Sequence, residues 1–231
     1  MNCIQTAING ICESLTFPIK YQLWDKEDFR WSFENETHLI CHPKKEGNDY
    51  WDLYALHEHV HALHKETLPN LFSTNPPVEG IPYGYDRDLF CYFNCARDWF
   101  VAGYMMDKCP NDTKNLIEKE FQEVSAQSTA DMPDANFLIA GLVSAQSKLH
   151  LGGECMELEK AFKVADILMK INPSEPTLDN LYCITKELTD FFGYFKITLT
   201  QTEGWSAKAI RTLPFSRNGR NRTADLMKKF S

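Results

Sequence analysis

The chain has 231 residues, 43% hydrophobic and 13% aromatic, which excludes wholesale disorder and allows one large domain or a domain with an extension. The net charge of −8 is uneven: Lys208 to Ser231 hold seven basic residues and one acidic one, so the acidity belongs to the first 207 residues. No basic region leads into an apolar core at the start, and no apolar run approaches the roughly 20 residues of a membrane span, so a soluble, cytoplasmic chain is expected.

In chain order, residues 3–15 predict a short helix ending before Phe17-Pro18. Alternating apolar residues predict strands at 19–24, 29–33 and 37–43, and the Glu34-Asn35-Glu36 group suits a hairpin turn between the last two. A helix is expected from an N-cap at Asn48 or Asp49 to about Thr67, stopped by Pro69. Residues 69–86 are rich in Pro, Gly and Asn and form a long loop, a type that is often functional. A second strong helix spans about 88–107. Further helices are expected at 113–127, 134–150, 154–171 and 177–193, then a strand at 196–201 and a basic tail from 206. The fold class is therefore α+β and predominantly helical, with a small N-terminal antiparallel sheet. The eight cysteines include no CxxC pair and read mainly as buried thiols; Cys91 and Cys95, at i and i+4 on a helix, are a weaker metal-binding pair.

The stretch ALHEHVHALHKE (55–66) holds four of the seven histidines, and His57-Glu58-His59-Val60-His61 fits H-E-x-x-H. Residues at i and i+4 share a helix face, so His57 and His61 can reach one ion. Glu58, about 100° round the helix, can reach a water on that ion, as a general base must. Leu53, Leu56, Val60 and Leu63 form an apolar stripe beside the histidines, which places them at the border of core and cleft. His59 falls on the opposite side, and solvent exposure is expected for it. His64 lies roughly 10.5 Å from His57 along the axis. It is expected behind the ligands or facing substrate, although a His61/His64 pair is an alternative.

A catalytic site needs a third ligand. The helix DLFCYFNCARDWFVAGYMM (88–106) is apolar on most sides, so its charges need a reason. Asp98, with Asn94 one turn earlier on the same face, is the candidate ligand. The competing account is a buried Arg97–Asp98 pair that only holds the helix in place.

The HExxH helix followed by a buried N-x-A-x-D-x-x-V helix (Asn94, Ala96, Asp98, Val101) resembles the predicted zinc metallopeptidases that often precede VWA-like domains in bacterial and phage proteins. The resemblance spans about 50–107, and Ala102 stands where that family tends to carry Asn. It implies Zn²⁺ held by His57, His61 and Asp98, with Glu58 as the general base. The expected organisation is a zincin-like metal-binding core over 1–110, a helical portion packed on it over 111–205 and the basic tail over 206–231.

The expected function is a zinc-dependent metallopeptidase acting on a peptide or protein substrate. His64, Tyr83 or Tyr85 would help polarise the scissile carbonyl, and residues 69–86 would rim the site. The alternative is a non-catalytic helical interaction protein with an incidental His cluster, whose tail contacts nucleic acid or an acidic partner. No P-loop, G-x-G-x-x-G or G-x-S-x-G supports another chemistry.

Overall fold

The computed structural model describes residues 2–44, 49–74, 76, 78, 87–202 and 204–212. Among these, the fold is α+β and predominantly helical. Helix α1 (Cys3–Ser14) begins where the Asn2 side chain accepts a hydrogen bond from the Ile4 amide at 2.8 Å. Three short strands follow, β1 (Ile19–Leu23), β2 (Arg30–Glu34) and β3 (Thr37–His42). Asn35 and Glu36 both have positive φ, 48° and 55°, which makes a two-residue turn whose twist matches a β2–β3 hairpin.

The sheet is mixed rather than antiparallel. Its order is β1-β3-β2, with β1 parallel to β3 and β2 antiparallel to it. Residues 24–29 carry the chain past the end of β3, so β2 enters on the far side and β3 returns between the other two. Alternation shows which residues face the core but not which neighbour a strand takes, so the parallel pair was not visible in the sequence.

Helix α2 (Trp51–Thr67) starts at Tyr50 without a side-chain cap, not at Asn48 or Asp49; Asn48 lies outside the described residues. Asp52 in the first turn and Lys65 in the last suit the helix dipole. Its stripe of Leu53, Leu56 and Val60 is buried against Ile4 and Ile11 of α1 and against Val101 and Met105 of the long α3 (Arg87–Lys108). The opposite side of α3 enters the larger core. There Leu89, Phe93 and Phe100 share one core with residues of helices α6 (Glu159–Met169) and α7 (Leu178–Phe192). At about 1.5–3 kcal/mol for each large apolar side chain fully buried, this double packing fixes α3 along its length. Asp98 is thereby fixed with it.

Helix α4 (Pro110–Gln127) opens with Pro at its first turn, where the missing N–H costs nothing. Helix α5 (Asp134–Leu151) ends at Gly152 in the left-handed region. Helix α6 starts five residues later than expected because the Met156 amide is taken by the Ser144 hydroxyl, at 3.2 Å, and Leu158 is extended. Strand β4 (Phe195–Thr202) pairs antiparallel with β5 (Gly204–Arg211), and Val78 bridges to Ala209. Residues 206–211, assigned to the tail from their charge, are thus paired in a strand; residues 213–231 lie outside the described residues. No helix among the described residues is long and apolar enough to cross a membrane.

Candidate metal centre

The helical spacing of His57 and His61 brings their Nε2 atoms to 3.1 Å. Asp98 approaches from α3, with its Oδ1 3.2 Å from His61 Nε2 and 3.5 Å from His57 Nε2. Three potential ligand atoms from two helices thus converge on one point. The cluster could hold a metal ion, and no other group of three His, Cys, Asp or Glu does so among the described residues.

Asp98 is oriented by its own helix. Asn94, one turn earlier, donates from Nδ2 to Asp98 Oδ2 at 2.8 Å. Oδ1 is buried and accepts no well-aligned hydrogen bond. A buried carboxylate oxygen without a donor is costly, and a cation at the convergence point would remove that cost. His57 is partly exposed, which leaves a way in from solvent.

The electrostatics without an ion are those of a proton-holding cluster. Burial opposes a charge on His57, but the adjacent Asp98 carboxylate overrides it and pushes its pKa up to about 9. Burial likewise opposes a charge on Asp98, yet His57 and His61 hold its carboxyl well below the usual carboxylate range. Glu58 is half-buried and makes no hydrogen bond or ion pair with another described residue. Glu120 of α4 adds a further carboxyl. Burial pushes its pKa up to about 7, against the opposing charges of His57 and Lys119.

His59 is buried at 1% exposure rather than solvent-exposed. Its Nδ1 donates to the Ala55 carbonyl at 2.6 Å and its Nε2 accepts from the Tyr21 hydroxyl at 2.8 Å. The wheel position opposite the metal face is not free, because α2 is enclosed by the sheet on one side and by α1 and α3 on the other. His64 is 4% exposed, lies edge-on to Phe72, and has an unpartnered Nδ1. Burial, then the nearby His61 and His57, lower its pKa to about 3, so it is a neutral imidazole. Tyr83 and Tyr85 lie outside the described residues.

Arg97 forms no pair with Asp98. It is buried and donates from Nε and Nη2 to the Leu71 carbonyl, at 3.1 and 2.7 Å, and from Nη2 to the Thr74 carbonyl at 2.7 Å. Consecutive helix residues point about 100° apart, so Arg97 ties down the start of the 69–86 segment while Asp98 faces the histidines. Cys91 and Cys95 are both buried, away from any such cluster. The Cys95 thiol donates to the Leu138 carbonyl at 3.6 Å, and burial raises its pKa well above the usual value.

Two contributors gave no sequence signal. Trp31 of β2 lies nearly parallel to the His61 ring, with centroids 6.1 Å apart and an interplanar angle of 20°. Glu120 is one of several charged residues on α4, with nothing in the sequence to set it apart. No protein-family model matches the chain, and no curated protein or solved structure matches it.

Proposed function

We propose that the protein is a zinc-dependent peptidase in which Glu58 is the general base. The observation that carries this is the convergence of His57 Nε2, His61 Nε2 and the orphaned Asp98 Oδ1. Zinc bonds of about 2.0–2.1 Å in tetrahedral geometry require ligand atoms roughly 3.3–3.4 Å apart. The three separations of 3.1, 3.2 and 3.5 Å bracket that value. Two imidazoles and one carboxylate also leave a fourth position for chemistry, as catalytic zinc sites do.

Zinc, when bound, supplies a Lewis acid that lowers the pKa of water to about 7 and polarises a carbonyl. Glu58, next to His57 and without a competing partner among the described residues, takes the proton of the attacking water and passes it to the leaving nitrogen. His57, His61 and Asp98 hold the centre, and Asn94 fixes which oxygen Asp98 presents. Strand β2 lies at an edge of its sheet, with Trp31 against His61. An extended peptide adding to that edge would pass beside the ligands.

The test is cleavage of a mixed peptide library by zinc-loaded wild type and Glu58→Gln. Product is expected only from wild type, with a loss of about 10²–10⁴-fold in the variant and zinc retained in both. Equal product from both proteins would overturn the assignment of Glu58. Zinc bound without turnover on any peptide or ester would favour a non-catalytic metal protein.

A further inference from the structure

His61 is held in an unusual way for a ligand. Metal-ligating histidines usually donate their second ring N–H to a carboxylate or carbonyl, which fixes the ring. His61 Nδ1 makes no such bond to a described residue. Its ring instead lies against the indole of Trp31.

The indole is itself tethered. Trp31 Nε1 donates to His38 Nδ1 at 3.2 Å. An indole nitrogen can only donate, so His38 Nδ1 carries the lone pair and Nε2 carries the proton. His38 is fully buried, and its Nε2 donates to Glu66 Oε1 at 2.7 Å. Glu66 has no freedom either: Oε2 accepts from the Thr16 amide at 2.5 Å and Oε1 from the Phe17 amide at 3.0 Å. The path runs from Glu66 on α2 through β3 and β2 and returns to His61 on the same helix. Each link fixes the direction of the next, because each atom in it has one role.

We infer that Trp31, locked by His38 and Glu66, is a positioning residue that holds the His61 ring with Nε2 turned toward His57 and Asp98. This rests on the metal-centre reading above. Set nearly parallel beside it, the indole would hinder rotation about the outer side-chain torsion of His61, which would swing Nε2 off the convergence point. None of the three network residues touches the ion. Their effect passes through the orientation of one ligand.

The experiment titrates wild type, Trp31→Ala, Trp31→Phe and Glu66→Ala, all as full-length chains, with Zn²⁺ against a chromophoric chelator. The same proteins are then titrated with Co²⁺, with visible spectra recorded. Trp31→Ala is expected to weaken zinc binding by about 10–100-fold. Its cobalt spectrum should lose the intense bands of a four-coordinate ion as His61 swings away. Trp31→Phe keeps a ring over His61 and should recover part of both signals. Glu66→Ala should weaken binding from the far end of the path, which covers the case in which Trp31→Ala does not fold. A metal-binding wild type with variants unchanged in affinity and cobalt spectrum would overturn the inference alone. A wild type that binds neither ion would overturn the metal-centre reading, and this inference with it.

Discussion

Asn94 donates to Asp98 Oδ2 at 2.8 Å along one face of α3, leaving Asp98 Oδ1 as the oxygen that meets His61 Nε2 at 3.2 Å. The amide divides the carboxylate into an anchored oxygen and one that faces the histidines. Asn94→Ala should therefore keep all three ligands and still weaken zinc binding by about 10–100-fold, the usual effect of losing a partner behind a ligand. Chelator competition measures this. An affinity equal to wild type would show that Asp98 is held by packing alone.

The metal-free centre holds a proton at neutral pH. With its folded pKa at about 9, above the ordinary 6.5, His57 contributes stability that is full below about 6.5 and lost as pH rises through 9. Asp98 is shifted the other way, so its contribution is present above about 3.9 and lost as pH falls through its lower folded value. A zinc ion requires neutral imidazole, so at the proposed centre it would have to displace the His57 proton. Apparent zinc affinity should thus rise by about 10-fold per pH unit between pH 7 and pH 8.5. In metal-free Asp98→Asn the counter-charge is gone and burial prevails, so the His57 pKa should fall below 6.5 in an NMR titration.

The fold was legible where local chemistry decides it. The helix ends before Pro69, before Pro110 and at Gly152 follow from backbone limits, and the Glu34-Asn35-Glu36 group marked the hairpin; the caps at Asn2 and Gly193 and the start of α4 at Pro110 were not read from the sequence. The His57/His61 pair was legible because helical spacing alone brings two imidazoles together, and Asp98 because a carboxylate on a buried helix needs a partner. What the sequence did not disclose depends on partners distant along the chain. The parallel β1–β3 pair, the burial of His59 beneath Tyr21, the turn of Arg97 toward Leu71, and the Trp31–His38–Glu66 path all require knowing which element lies across from which.

Arg97 acts as a clamp on residues 71–74. Removing it leaves two carbonyls without their charged donor, a loss of about 3 kcal/mol of stability. Arg97→Met should lower the urea midpoint accordingly. Arg97→Lys should recover little, since one ammonium cannot reproduce the fork that spans the Leu71 and Thr74 oxygens. Recovery by lysine would mean that charge rather than geometry matters there.

Gly103 lets α3 approach the turn after α6. A Cβ added there would lie 2.3 Å from the Pro173 carbonyl oxygen, against backbone that cannot rotate away. Gly103→Ala should destabilise by about 1–3 kcal/mol, although alanine is the better helix former. Gly10 in α1 is the control: an added Cβ meets nothing within 4 Å, and Gly10→Ala should stabilise by about 0.5–1 kcal/mol. Thermal or urea unfolding of the two variants compares them directly.

A metal centre built by α2 and α3 together would be visible in the metal content of the protein. Elemental analysis of purified wild type, His61→Ala and Asp98→Ala after zinc loading and desalting should give about one zinc per chain in wild type and little in either variant, as expected for a site with three protein ligands. Zinc absent from wild type, or retained in full by both variants, would contradict the account.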